Sequence, residues 1–398
     1  MTESVETYLT GPVQVEVALE EAPARQHWLS QAVYALVRGV GPVLLAILAG
    51  AILLLVLGRN PATFYENIYQ GGITHDAWQD SIMRMAPLLL IAAGLIFIFR
   101  ANIWNLGYDG QFLLGAAMIA GIGPKLEDHW PYWLSLALLF VIAAVAGALW
   151  TIIPALLKAY YGVNEIITTL MMSFIGISLA NILIKGPFQD FSVNVPQTSV
   201  LPFAGMLPNI PHTRIHCGIL VAVVVVLFVH YVLTRTAFGL RLQVLGASPR
   251  AAIHAGLGVK RLIIIAFLVS GALIGMASAP EILGVQGYVR ADWNPAFGDA
   301  VIPFVFLARL NVLAVIPFVA FYSILAIGGE QATQQANLPT DFLLVIVGLI
   351  LLFMTITEYI GRRRTLGGSY LTPGLLRVLK RKEVSAIDTQ PSPDRLDG

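Results

Sequence analysis

Charged residues are scarce in this sequence of 398 residues. Asp, Glu, Lys and Arg make up 12% of it, about half of their share in a soluble globular domain, whereas 57% of the residues are hydrophobic. Only a lipid environment covers that much apolar surface. The net charge of +1 gives no electrostatic reason to expect a nucleic-acid partner. The composition therefore predicts an integral membrane protein.

Several kinds of chemistry are excluded by what the sequence lacks. Its one cysteine, Cys217, cannot form an intrachain disulfide or a cysteine metal cluster. There is no Gly-Lys dipeptide, so the phosphate-binding pattern G-x-x-x-x-G-K-[ST] is absent, and neither H-E-x-x-H nor G-x-S-x-G occurs. We therefore expect no catalytic residues, no metal and no cofactor. Any energy from ATP must come from another chain.

Long apolar runs divide most of the chain. A spanning helix needs about 20 mostly apolar residues, because the hydrocarbon layer is about 30 Å thick. The sequence therefore predicts an all-α, polytopic membrane helical bundle of about ten transmembrane helices. The candidate spans are 39–58, 82–100, 110–123, 132–156, 165–184, 216–234, 262–284, 297–312, 313–330 and 341–360. Of these, 110–123 and 297–312 are short, and 110–123 is a candidate half-helix.

The distribution of Lys and Arg sets the expected orientation. With the N-terminus inside, the inner connections and flanks hold most of the basic residues, so both termini are predicted to be cytoplasmic. Residues 1–38 are expected to form a cytoplasmic tail and 39–360 the transmembrane domain. Residues 361–398 are expected to form a basic, disordered cytoplasmic tail.

The inner connection 235–261 is unusual because it holds basic residues and no acidic ones. Within it, Ser248 is a good N-cap, Pro249 suits the first helical position and Gly256 suits a helix stop. A short helix across the inner face, small and apolar on one side, suits insertion into a cleft of a partner protein. The alternative is a plain amphipathic connector at the lipid surface.

This loop resembles the coupling helix of permease subunits in bacterial ATP-binding cassette (ABC) importers of simple sugars, nucleosides and branched-chain amino acids. It departs from the family pattern at Leu245 and Ser248, where alanine and asparagine are usual. The resemblance implies that the loop docks on the ATP-hydrolysing subunit. The residues implied in this coupling are Gly239, Gly246, Ala247, Ser248, Pro249, Arg250, Ala251, Ala252 and Gly256.

Further stretches are similar to the nucleoside-type branch of that family, namely 105–111, 162–171, 308–311 and 328–330. Polar groups at membrane depth are expensive and normally face a cavity or a partner. The resulting substrate-path candidates are Asn102, Trp104, Asn105, Asp109, Gln111, Asn164, Glu165, Thr168, Thr169 and Met172. The alternative is that these side chains only hydrogen-bond one helix to another.

The resemblance implies a permease subunit in the bacterial inner membrane that moves a small polar solute into the cytoplasm. A nucleoside is the first candidate for this solute. It implies three protein partners: an ABC ATPase, a second permease in a heterodimer, and an extracytoplasmic solute-binding protein. That binding protein is expected to dock on an outer mouth that includes 59–81 and 285–299. A simple sugar or a riboflavin-like compound is an alternative solute. An ion-coupled secondary transporter that uses Glu281 or Asp109 is an alternative mechanism, and a membrane enzyme or scaffold is a more distant one.

Overall fold

The computed structural model describes residues 28–74, 76–127, 130–202, 205–339 and 342–365, and every regular element within these ranges is helical. The helices are α1 Trp28–Val56, α2 Pro61–Gly72, α3 Ala77–Phe99, α4 Tyr108–Glu127, α5 Tyr132–Trp150, α6 Ile152–Tyr161, α7 Glu165–Lys185, α8 Gly218–Arg235, α9 Ala237–Ala247, α10 Pro249–His254, α11 Val259–Met276, α12 Ser278–Glu281 with a π turn Ile282–Gln286, α13 Phe297–Leu307, α14 Val315–Gln335 and α15 Phe342–Thr365. Most of the two expected tails, 1–27 and 366–398, lies outside the described residues.

Six helical stretches within the described residues are long and apolar enough to cross a membrane. They are Ala77–Phe99, Tyr132–Tyr161, Glu165–Lys185, Gly218–Arg235, Val259–Gln286 and Val315–Gln335. Shorter apolar helical stretches are Val40–Val56, Ala237–Ala247, Phe297–Leu307 and Phe342–Thr357. The predicted all-helical, multi-pass bundle is confirmed at this level, and the count of ten crossings stays a prediction.

Helix α3 forms the centre of the bundle. Every residue from Ala86 to Phe99 is buried, and the helix packs against α8, α11, α13 and α14. A helix that is apolar on all sides is stable only when other helices surround it. The run 82–100 in the sequence fits this position, because it has no polar stripe.

Helices α5 and α11 contact each other closely beside this core. A Cβ atom added to Gly147 would lie 2.1 Å from the carbonyl oxygen of Gly271, and one added to Gly275 would lie 2.3 Å from that of Ala143. Small residues four apart on each helix let the two backbones approach, which is how helices associate tightly in lipid. This contact was not predicted from the sequence, although the Gly271–Gly275 spacing was a signal for it.

One set of connections gathers at what we term the inner end of the bundle. Gly246 packs on the backbone of Arg100, and the Arg100 Nε–H donates to the carbonyl of Leu310 at 3.2 Å. The ammonium of Lys260 lies 4.8 Å from the ring centre of Tyr160, which brings the last turn of α6 to the same end.

The remaining connections gather at the opposite, outer end. Lys185 pairs with Asp292 at 2.8 Å, and Arg214 pairs with Asp80 at 3.5 Å. Isolated bridges Gln189–Thr198, Gln197–Arg290 and Asn209–His216 hold the proline-containing connection 186–215. The grouping into two ends agrees with the alternation of connections expected from the sequence.

Helix boundaries differ from the predicted spans in several places. The expected outer connection 59–81 contains helix α2, because Asn60 caps it, Pro61 begins it, and its apolar side packs against α14. Helix α1 begins at Trp28, before the predicted start of span 39–58. Residues 132–156 fall in two helices that are divided at Thr151.

Candidate functional site

The inner-end loop contains the short helix that the sequence predicted. The Ser248 hydroxyl accepts a hydrogen bond from the Ala251 N–H at 3.2 Å, and Pro249 is the first residue of α10. Gly256 has a φ of 73°, the left-handed conformation that glycine adopts without strain. The cap, start and stop of this helix are therefore confirmed as local structure. The role of the loop in coupling stays a prediction.

Two glycines seat this loop on the bundle. A Cβ atom at Gly246 would lie 2.4 Å from the carbonyl oxygen of Arg100, and one at Gly239 would lie 2.4 Å from that of Leu233. No larger residue fits either place without moving the backbone. The loop therefore rests directly on the end of α3.

The short helix has an inward and an outward side. Ala252 is fully buried, whereas Pro249, Arg250 and Ala251 are exposed, as is Ala247 just before the cap. The structure thus separates the expected coupling residues into those that hold the loop on the bundle, namely Gly239, Gly246 and Ala252, and those that are exposed to solvent or to another protein.

The most buried substrate-path candidates form a hydrogen-bonded cluster between helices. Asn105 is completely buried and donates to Ser270 Oγ at 3.0 Å and to Gln111 Oε1 at 3.1 Å. The Gln111 amide donates back to Asn105 at 2.9 Å, and Thr169 accepts from the Leu106 N–H at 3.0 Å. Each of these buried side chains has a hydrogen-bond partner, which is the arrangement expected of polar groups that bond one helix to another.

Other candidates line a cleft at the inner end, with a volume of about 470 Å³. Its walls are Asn102, Trp104, Lys158, Gly162, Asn164, Glu165 and Ile166. Trp104 is held by Phe99 and Phe306 at ring-centre distances of 5.0 and 5.5 Å. The cleft therefore combines a flat aromatic wall with amide groups.

Two path candidates in the cleft wall are also local structural residues. Asn164 caps α7 by accepting from the Ile166 N–H at 2.9 Å, and Glu165 pairs with Lys158 at 2.6 Å. Thr168 and Met172 lie one and two turns further along the helix. The Thr168 hydroxyl donates to the carbonyl of Asn164, and the side chain of Met172 is buried.

Asp109 lies where two helices begin. Its carboxylate accepts a hydrogen bond from the Asn294 side chain at 3.3 Å, and the neighbouring Tyr108 hydroxyl donates to Asp299. Asn294 and Asp299 are exposed, and both belong to the 285–299 segment that the sequence placed at the outer mouth. These partners were not predicted from the sequence, because they are about 190 residues away along the chain.

Arg84 was also missed. Its guanidinium lies 3.5 Å from the carboxylate of Glu281, which is 1% exposed and also accepts from Gln286 at 3.2 Å. The same guanidinium lies 5.1 Å from the ring centre of Phe297. An arginine that balances a buried carboxylate is the arrangement of a structural ion pair. This favours a packing role for Glu281 over a proton-coupling one.

Two asparagine variants distinguish a residue that stabilises helix packing from a residue that is expected to contact the solute. Asn105→Ala is expected to lower the free energy of unfolding by about 1–3 kcal/mol, because it leaves buried partners unpaired. Asn102→Gly keeps the left-handed backbone (φ 55°) of an exposed residue, so stability should change by less than about 0.5 kcal/mol while solute uptake falls. Thermal unfolding in detergent and cellular uptake measure the two effects. Unchanged solute uptake in Asn102→Gly would show that the cleft is not part of the solute path.

Comparison with known proteins places this sequence in a family. The sequence model described as branched-chain amino acid transport system, permease component, matches residues 79–355. The glucose ABC transporter permease protein TsgB13 of Haloferax volcanii is 31% identical over 88% of this chain and 94% of its own length. The guanosine ABC transporter permease proteins NupP and NupQ of Bacillus subtilis are 28% and 23% identical, over 78% and 71% of this chain and 90% and 91% of their own lengths.

Proposed function

This chain belongs to the family of permease components of branched-chain amino acid transport systems, and we propose that it imports a nucleoside, the solute class for which the guanosine permease relatives are named. The chain is a permease subunit of an ABC transporter and not an enzyme. The observation that carries the choice of solute is the inner cleft, where Trp104 offers a flat apolar surface beside the amides of Asn102 and Asn164. A nucleobase needs such a surface together with amide partners.

A simple sugar is the second candidate solute. The relative named for glucose supports it, because that relative is 31% identical to this chain. The polar groups around Asp109, Asn294 and Asp299 also suit a polyhydroxylated ligand. A riboflavin-like solute is a third candidate.

The remaining parts of the proposal concern topology. The bundle crosses the bacterial inner membrane ten times, with both termini and the 235–261 loop in the cytoplasm. Residues 1–38 and 361–398 are cytoplasmic tails on either side of the transmembrane domain 39–360. The inner end then faces the ATPase and the outer end faces the solute-binding protein.

The proposed assembly contains two different permease chains. The occurrence of two guanosine permease relatives in one organism supports a heterodimer. The ATPase docks on the exposed side of α10, and its closure upon ATP binding moves the loop. A solute-binding protein delivers the solute to the segments 59–81 and 285–299.

Uptake assays test the proposal. A strain that lacks this chain is expected to lose uptake of labelled guanosine, and the wild-type chain should restore it, whereas glucose and riboflavin uptake stay unchanged. Depletion of ATP should stop restored uptake, and collapse of the proton gradient with ATP maintained should not. Loss of glucose uptake alone would identify the sugar instead. Ion-driven uptake by the purified chain alone would refute the ABC mechanism.

A further inference from the structure

A second cleft at the inner end is not explained by solute transport. It has a volume of about 500 Å³ and lies between α9 and the start of α11. Its lining includes the basic residues Arg241 and Arg261 and the apolar residues Phe238, Leu262 and Ile265. This size is within the range of small-molecule sites, which is about 300–1,000 Å³.

The two arginines in this cleft have no anionic partner in the part of the chain that the structure describes. Neither guanidinium makes an ion pair or a hydrogen bond with any described residue. The connection 235–261 contains no Asp or Glu, so it supplies no local counter-charge either. Arg261 also lies in the first turn of α11, where the helix dipole adds to the positive potential. The cleft is thus complementary to an anion.

The apolar lining residues add a second requirement for a ligand of this cleft. Ile265 lies one turn deeper along α11 than Arg261, and Leu262 beside it is buried. The ring of Phe238 stacks on that of Phe97 at 5.9 Å, which fixes it as an apolar surface at the end of α3. Charge at the membrane surface and apolar side chains one turn below match an amphiphile with an anionic head.

We propose that this cleft binds an anionic phospholipid, with its phosphate between Arg241 and Arg261 and the start of an acyl chain along Phe238 and Ile265. Basic pockets on the cytoplasmic side of membrane helices bind such headgroups. The cleft adjoins Gly256 and Gly258, the residues that connect α10 to α11. A bound lipid therefore anchors the base of the coupling loop in the membrane. This role goes beyond solute transport and does not depend on which solute is carried.

Native mass spectrometry of the purified full-length chain, titrated with phosphatidylglycerol or phosphatidylcholine, tests the site. A basic residue near an anionic lipid raises affinity by about fivefold, so the double variant Arg241→Gln, Arg261→Gln should bind phosphatidylglycerol about 25-fold more weakly. Phosphatidylcholine binding should not change. The charge-preserving variant Arg241→Lys, Arg261→Lys should keep the preference and shows that the fold is intact.

Arg235→Gln is the matched control, because Arg235 is an exposed basic residue of the same end that does not line the cleft. It should keep the preference for phosphatidylglycerol. An equal loss in this control would show bulk attraction and overturn the proposal, as would an unchanged preference in the double variant.

Two further measurements distinguish a bound lipid from inorganic phosphate and from a protein partner. Inorganic phosphate should not displace phosphatidylglycerol, because it lacks the acyl chain, and displacement would overturn the lipid assignment. The double Gln variant should still pull down the ATPase subunit. Loss of that interaction with lipid preference unchanged would assign the cleft to the protein partner instead.

Discussion

Replacing Gly147 with leucine is expected to abolish the folded protein. Even a Cβ atom at this position would lie 2.1 Å from the Gly271 carbonyl oxygen and 2.8 Å from the Gly275 Cα, both of them backbone atoms that cannot rotate away. Overpacking of a core costs about 1–3 kcal/mol for small insertions, and a leucine here must force α5 and α11 apart along their length. Membrane yield, size-exclusion profile and thermal unfolding in detergent measure the loss.

Gly348→Leu provides the control for this experiment. Gly348 is also a helical glycine, but a Cβ atom there would meet nothing within 4 Å. Both substitutions replace glycine with a good helix former, so the gain in helix propensity cancels between them. The control should fold like the wild type. If Gly147→Leu is as stable as Gly348→Leu, the two helices do not pack as described.

Replacing Ala251 with tryptophan is expected to lower ATPase binding and solute uptake at least tenfold while the chain stays folded. Ala251 is exposed on the outward side of α10, so the new ring occupies only the space that a docking partner needs. A tenfold loss of binding corresponds to about 1.4 kcal/mol, a modest cost for a bulky side chain in a protein interface. Pull-down of the ATPase and uptake of labelled solute measure the effect.

Two further variants test whether the effect is specific to the exposed side of α10. Leu240→Trp adds a ring to a residue of α9 that is 62% exposed, at the same end but outside the short helix, and should leave ATPase binding unchanged. Ala252→Trp fills a buried position and should destabilise the loop itself. Wild-type binding and uptake in Ala251→Trp would show that α10 is a connector at the lipid surface.

Features set by local chemistry were predictable from the sequence. The apolar run 165–184 corresponds to the helix Glu165–Lys185, because its length and hydropathy match the bilayer. Ser248, Pro249 and Gly256 define the short helix through caps that involve only neighbouring residues. Such elements need no knowledge of the rest of the fold.

Features set by distant contacts were not predictable. Asn105 and Asn102 look alike in the sequence, yet one bonds Ser270, 165 residues away, and the other is exposed in a cleft. A polar residue at membrane depth is compatible with both outcomes until helix packing is known. Arg84 beside Glu281 was missed for the same reason.

The buried helix α3 connects the two ends of the bundle without a gap. Its inner end carries the backbone of Arg100 on which Gly246 sits, and Arg84 near its outer end holds Glu281 and Phe297. These two arginines are about 24 Å apart along the axis, at about 1.5 Å per residue. Close-packed interiors are barely compressible, so α3 is suited to carry a displacement of the loop toward the other end, although Pro87 interrupts its backbone hydrogen bonds between the two arginines. If a partner protein displaces the loop at one face, we therefore expect a shift at the opposite face rather than compression of the core between them.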